Sequence, residues 1–400
     1  MLNERKEMNI LDATYNARQV YVRSTDYNRT LMSAYSNLAG FYPNGVPDLT
    51  IPKMTDWPQH WQPVPVHSVD KYKDNLLYMN AKCPQEKNIT ENVIKKSAEY
   101  KRISEENQDL FDLINNNTGF SWKIDLFTIG EVWTPLNIER IHNDSHTWPT
   151  WVTETAFDRM TTVNIANDRL KYSDKTLARL RGGNLLGHMI DLMEQRMDCE
   201  SKNSSSCREI NRRVYYAYSA HDTTLMAFLE VLQSYESIIG ESIVQYAACM
   251  LVELWSQNEQ FRVRLLYRNS TLPRSDFEPV TAAVSECNSD FCPFDTFKQR
   301  SVEFIPVDWN SECQLKKNPE NPNKPESSDC STNDLLVLTI VFAVTTAICL
   351  FATLVLGLKY FKERKAYRST VTKLSVTQLQ TYQLPSERTL SEDEFDEDRY

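Results

Sequence analysis

The chain has 400 residues and a formal net charge of -10 at pH 7. That length supports a large core, in one domain or two intertwined ones. The negative balance, with no long basic run, excludes nucleic acid as the expected partner.

Residues 1–18 read as the end of an amphipathic helix and 19–22 as a short strand. Arg23-Ser24-Thr25-Asp26 follows, and the apolar spacing of Leu31, Met32, Tyr35 and Leu38 predicts a helix that stops near Gly40. Residues 41–66 concentrate prolines and aromatics, as an ordered loop system does. From 88 to 117 the pattern is helical and highly charged, and 157–195 adds helical stretches with a break predicted at Gly182-Gly183. These helices are expected to form a cap, about 84–195, inserted between α/β parts. Residues 214–219 predict a strand, and Thr223-Thr224 followed by Leu225, Met226, Phe228, Leu229 and Leu232 predicts a capped amphipathic helix. Residues 247–254 and 260–267 read as two further strands, the second alternating, in a hairpin or at a sheet edge.

The folded domain is thus expected over 1–313. Residues 314–334, rich in Asn, Pro, Lys, Glu and Ser, read as a stalk. Residues 335–358 are 24 positions without a charge. At ~1.5 Å per residue they span a ~30 Å hydrocarbon core as a helix; a buried core helix is the alternative. The tail, 359–400, is polar and ends acidic, with Tyr360, Tyr367 and Tyr382 as weak sorting-signal candidates. Lys359, Lys362, Arg364, Lys365 and Arg368 follow the span directly, while Asp329 and Asp334 precede it. The positive-inside rule then makes this a single-pass type I membrane protein with its domain in a lumen or outside the cell. Glycosylation sequons begin at Asn28, Asn88, Asn116, Asn143, Asn203 and Asn269, all before the span. Asn28 is the least suited of these, since it should lie on the helix beside the site considered below. Eight of nine cysteines also precede the span, in keeping with an oxidising compartment. Cys287 and Cys292 are close enough for a local bridge, and Cys199 and Cys207 flank a loop that could be closed likewise. Zinc is the rival reading, but no cysteine pair has a histidine at ligand spacing, so no metal is expected. Met1 to Glu7 is polar, without the apolar core of a signal peptide. The expectation is that the sequence as given lacks its true beginning.

His221-Asp222 stands where a strand gives way to a helix, the place where open α/β sheets hold ligands and where free backbone N–H groups attract anions. Arg23 shares that context, and two parallel strands would bring both ends into one crevice. Arg23 would offer a planar fork of donors to phosphate oxygens, His221 could donate to another, and Asp222 could protonate a departing alkoxide. Taken singly, each also reads as a helix cap or a structural hydrogen bond.

Two segments make the combination more specific: Tyr-Val-Arg-Ser-Thr-Asp-Tyr-Asn-Arg-Thr-Leu-Met-Ser-Ala, 21–34, and Tyr-Ser-Ala-His-Asp-Thr-Thr, 218–224. Both closely resemble segments of the histidine acid phosphatases, the lysosomal and prostatic type above all. Trp61-Gln-Pro-Val-Pro-Val-His67, Tyr246-Ala-Ala-Cys249 and Trp309-Asn-Ser-Glu-Cys313 are further matches in order, so the resemblance covers roughly residues 5–315. It implies a three-layer α/β sandwich with a helical cap, and in the lysosomal type a single carboxy-terminal span. It implies hydrolysis of phosphate monoesters without metal or cofactor, through a phosphohistidine, in a lysosome or at the cell surface. Arg23 would clamp phosphate, His221 would contact the transferring phosphoryl group, and Asp222 would be the general acid. A carboxyl group beside a phosphate anion keeps its proton to higher pH, which suits acid conditions. The resemblance pairs Cys83 with Cys313 and Cys287 with Cys292; it also matches Cys249, whose partner near 135–140 is missing.

The sequence departs from the family where the nucleophile should be. No Arg-His-Gly-X-Arg-X-Pro motif occurs, and His60, His67, His142, His146 and His188 all lack its context. No histidine is therefore assigned as nucleophile. With that motif goes an internal strand, whose loss is expected to leave unpaired sheet edges. The alternative class is a membrane-anchored pseudophosphatase that binds phosphorylated ligands or a protein partner. Homodimerisation is left open.

Overall fold

Alternation in strand β1 (Val20–Ser24) buries Val20, Val22 and Ser24 and leaves Tyr21 and Arg23 half-buried on the other face, the two-residue period of a strand. The structure, a computed structural model, describes residues 11–315 apart from 48, 55, 59, 60, 143–147, 203, 259 and 271–275. Residues 316–334 of the expected stalk, the span and the tail, residues 1–10, His60, His146, Asn143, Asn203, Cys330 and Cys349 lie outside the described residues.

Helix α1 (Asn28–Phe41) follows β1 and passes the expected stop at Gly40 by one residue. Its buried Ala34, Leu38 and Phe41 cover Val20 and Val22. The described part of the first predicted helix, 11–18, is not helical. Short polar side chains take its backbone donors instead, Asn16 Oδ1 from Arg18 N at 3.1 Å and Gln19 Oε1 from Asp12 N at 3.2 Å, the local competition that disfavours helix.

The charged middle of the chain forms α2 (Pro84–Asn92), α3 (Ala98–Glu106), α4 (Gln108–Asn117), α5 (Gly130–His142) and α6 (Glu154–Lys171). Helices α3 to α6 enclose a core of their own, with Phe111, Ile114, Trp133, Phe157 and Met160 among its members. Helix α7 (Lys175–Cys199) then runs unbroken through Gly182-Gly183, against the predicted break. A Cβ at Gly182 would lie 2.1 Å from Ala227 O, and one at Gly183 1.9 Å from Phe304 O. These glycines mark where other backbone presses on the helix, not where the helix ends.

Helix α8 (Ser205–Arg212), strand β2 (Tyr215–Ser219), helix α9 (Asp222–Val231) and the short α10 (Tyr235–Ile238) come next. β2 pairs with β1 in parallel, Arg23 opposite Tyr218 and Ser24 opposite Ser219. His67 extends this sheet by a parallel bridge to Arg23. The side of the sheet that carries Tyr21, Arg23 and Tyr216 meets His188 and Leu192 of α7 around a cavity of about 240 Å³. Helices thus lie on both faces, α1 on one and α7 and α8 on the other.

β3 (Cys249–Gln257) and β4 (Gln260–Arg268) form the expected hairpin, and β5 (Glu278–Pro279) and β6 (Cys292–Pro293) add to β4 as a separate sheet. Among the described strands β2 pairs with β1 alone and β3 with β4 alone, so each keeps one unpaired edge. Their residues reflect this: all five of β2 and the first six of β3 are only half-buried. Tyr218, Met250, Val252 and Leu254 nevertheless pack on one core, built on Leu186 and Ile190 of α7 and Phe228 and Val231 of α9. Helices α11 (Phe294–Ser301) and α12 (Trp309–Glu312) close the described chain.

Disulfides join Cys83 to Cys313, Cys199 to Cys207 and Cys287 to Cys292. The six sulfurs so joined are not thiolates and in that state are not zinc ligands. Among the described residues no helix is long and apolar enough to cross a membrane.

Gly183→Ala should destabilise the domain by about 2–3 kcal/mol through overpacking, read as a lower urea midpoint at constant slope. An unchanged midpoint would mean that the contact with Phe304 is not tight.

Candidate active site

The register of β1 and β2 sets the carboxyl ends of the two strands side by side. Thr25 N donates to Ser219 O at 3.1 Å, continuing the ladder one step past Ser24. Thr30, one turn into α1, ties both ends. Its hydroxyl donates to Thr25 O at 3.0 Å, and its carbonyl accepts from the Ser219 hydroxyl at 2.8 Å.

His221 is the extended residue that caps α9, and its backbone N donates to Thr224 Oγ1 at 3.3 Å. Thr224 Oγ1 in turn donates to Leu77 O at 2.8 Å, anchoring the helix start to the 70–80 loop. The His221 ring lies between two partners, Thr25 Oγ1 at 3.0 Å from Nε2 and Arg29 Nη2 at 3.3 Å from Nδ1. A guanidinium can only donate, so these partners assign Nδ1 as acceptor and put the proton of the neutral ring on Nε2, pointing at Thr25. Burial, and after it the Arg29 charge, push the imidazole below its usual pKa, against the pull of Asp222 and Asp74. The ring is therefore biased to the neutral form, and an anion arriving beside it would reverse that bias. Tyr27 meets the ring edge-on at 5.3 Å, and Tyr78 lies 6.2 Å away.

Arg23 lies on the strand neighbouring His221, as expected, but its guanidinium is engaged. Nη2 donates to Asp74 Oδ1 at 2.6 Å, and the Asp74 carboxylate, fully buried, also accepts from the backbone N of Leu76 and Leu77. Asp74 thus fixes the direction of Arg23 while other guanidinium donors remain. Asp222 is exposed at the first turn of α9, with Oδ1 accepting from Thr223 N at 2.7 Å. Asp168 of α6 is close enough to sense it: burial pushes the Asp168 carboxyl up to about 7, and the Asp222 charge adds to this against Lys171.

Other predicted residues fall elsewhere. His67 stacks on Tyr21 at 5.0 Å, and His188 Nε2 lies 2.7 Å from the Tyr218 hydroxyl; both fit structural roles. Asn88 and Asn116 are exposed on helices. The Asn269 side chain accepts from Gln245 N and donates to Ile243 O. Sequence reasoning missed Thr25, Arg29 and Asp74 as parts of the site. Arg29 had a legible signal, one residue into a helix that starts beside a strand end. Asp74, 51 residues beyond Arg23, had none.

The sequence description of the histidine phosphatase superfamily (branch 2) matches residues 4–268. The chain belongs to that superfamily. It is 31% identical to prostatic acid phosphatase of Bos taurus over 77% of this chain and 74% of that protein. It is 32% identical to lysosomal acid phosphatase of Homo sapiens over 77% and 68%. Among solved structures, Hafnia alvei phytase in complex with tartrate superposes with a TM-score of 0.51 at 14% identity, covering 78% of this chain and 84% of that one. That likeness concerns the fold. The chain is thus an α/β histidine-phosphatase fold and a hydrolase of the acid phosphatase family, whose substrates are phosphate monoesters.

Two outcomes follow from the site's charges. Asp74→Ala would strand the Arg23 guanidinium and should destabilise the fold by about 3 kcal/mol, measured by chemical denaturation; a neutral effect would show the pair to be dispensable. Asp168 and Glu230, both raised to about 7 by burial, bind protons more tightly folded than unfolded. Their stabilising effect is complete below the ordinary carboxylate range and is lost as pH rises through about 7. His188 and His221, lowered by burial, oppose this as pH falls below the usual histidine value. Asp168→Asn with Glu230→Gln should therefore raise the thermal midpoint at pH 8 relative to pH 5. A midpoint ratio unchanged from the parent would refute the buried-acid account.

Proposed function

We propose that the chain carries the phosphate-binding and acid groups, Arg23, His221 and Asp222, of a site that hydrolyses phosphate monoesters under acid conditions by the family's phosphohistidine route, with the nucleophile-bearing Arg-His-Gly segment not among these 400 residues. The observation that carries this reading is the convergence of His221, Arg29 and the Asp74-held Arg23 at the ends of two parallel strands, with the Asp222 carboxyl exposed one residue on.

Arg23 and Arg29 supply guanidinium donors to the non-bridging oxygens, where negative charge is spread in phosphoryl transfer. The Nε2 proton of His221, spent on Thr25 in the ligand-free site, turns to a phosphoryl oxygen. Asp222, protonated, gives its proton to the departing alkoxide and in the second step receives one from the attacking water. The Asp168 carboxyl, which senses the Asp222 charge, is itself biased to hold a proton. None of the six histidines is assigned as the nucleophile.

The domain limits complete the reading: a phosphatase domain over 1–313 with a helical cap about 84–195, a stalk over 314–334, a transmembrane helix over 335–358 and a cytoplasmic tail. The separate core of α3 to α6 supports the cap. The charge-free 24 residues followed by five basic ones support the span and its orientation. The three disulfides support a lumenal or extracellular domain.

The test is hydrolysis of an alkyl phosphate and of p-nitrophenyl phosphate by the full chain at pH 5. Asp222→Ala should lower the alkyl ester rate at least about 100-fold, and the nitrophenyl ester rate less, since that leaving group departs without a proton. Equal rates for parent and variant would refute the assignment of Asp222. Ester binding that depends on Arg23 and His221 without turnover would instead make the site a receptor for phosphorylated ligands.

A further inference from the structure

Resting on the phosphate-ester reading above, we propose that Lys71 is a specificity-determining residue, which binds a second anionic group carried by the leaving group of the ester. The substrate class is then a phosphate monoester bearing, beyond the reacting phosphate, a carboxylate or a further acidic group.

The observation is an aromatic shelf against His221 that holds two cations. Tyr27 stands edge-on to the His221 ring at 5.3 Å and is fixed by its hydroxyl, 3.0 Å from that of Tyr78. The Lys71 ammonium lies 4.8 Å from the centroid of Tyr27 and 5.1 Å from that of Tyr72, and the Arg29 guanidinium lies 4.5 Å from Tyr27. Stacking on rings orients a cation through the quadrupole. It leaves the N–H donors of the ammonium unspent.

Acids that could neutralise Lys71 are occupied elsewhere. The Asp70 carboxylate accepts from Tyr72 N at 3.0 Å and caps the short turn that carries Lys71. Asp74 is taken by Arg23. Among the described residues no carboxylate makes an ion pair with Lys71 or Arg29. Arg29 reaches the His221 ring and so belongs with the reacting phosphate. Lys71 stands against the same Tyr27 ring and against that of Tyr72. A ligand with anions at both positions would meet two cations that share the Tyr27 ring. A ligand with only the phosphate would leave Lys71 to water.

The experiment is calorimetric binding to the full chain at pH 6, where a carboxylate is ionised, of phenyl phosphate and 4-carboxyphenyl phosphate. The carboxylated ester should bind about tenfold tighter, the order expected of one charge-assisted hydrogen bond. Lys71→Met should abolish that preference and leave phenyl phosphate affinity unchanged, while Lys71→Arg should keep it. A packing role for the side chain would not separate the two variants in this way. Equal affinities in the parent, or a preference retained in Lys71→Met, would overturn the proposal. If phenyl phosphate binds in a His221-dependent manner and only the preference is missing, Lys71 alone is misassigned; if neither ester binds, the phosphate site falls and this proposal with it.

Discussion

Thr25 and His221 are 196 residues apart in the chain and 3.0 Å apart in the fold. What joins them is the parallel pairing of Val20–Ser24 with Tyr215–Ser219, and no local preference of either segment would do so. A one-residue slip in that register would turn Arg23 toward α1 and Val22 toward α7, inverting core and site together. Thr30 and Ser219 hold the register at the strand ends, where a two-stranded ladder is most inclined to fray. The glycines of α7 serve the same geometry from the opposite face. Gly182 lets the backbone of α9 approach at Ala227, which sets where the amino end of α9 points.

The electrostatics of the site follow from burial more than from the count of charges. The molecule is acidic overall, yet two buried acids near His221 and Asp222 are engaged or biased to stay neutral. Asp74 is committed to Arg23 and two backbone donors, and Asp168 is raised by desolvation. The cations are arranged the other way, with Arg29 on the imidazole and Lys71 on an aromatic face. Two cations thus flank the Tyr27 ring beside His221, groups of the sign that attracts an anionic ester.

The helices between β1 and β2 divide into two tasks. α3 to α6 pack mainly on themselves, whereas α7 belongs to the central core and carries both the sheet and α9. The long disulfide from Cys83 to Cys313 ties the start of the helical region to the end of the described chain beside Leu180 of α7. Closing a loop of 230 residues restricts the unfolded chain far more than the two short bridges do.

Much of the fold was legible because its signals are local. The strand before His221, the helix after it, the hairpin of β3 and β4 and the helical middle all follow from periodicity over a few residues. The pairing of Arg23 with His221-Asp222 in one crevice was legible too, since both stand at strand-to-helix junctions. Gly182-Gly183 misled, because a glycine that ends a helix and a glycine that admits a neighbouring backbone look alike in sequence; only Ala227 and Phe304 distinguish them. The polar residues of 11–18 misled in the opposite sense, their spacing fitting a helix whose backbone donors they take for themselves. The family was therefore written in the chain. The tertiary structure decided what surrounds the site: Asp74 on Arg23, Thr25 and Arg29 on His221, Lys71 on Tyr27. Those contacts depend on distances closed by packing across dozens to hundreds of residues, and no short-range pattern encodes them.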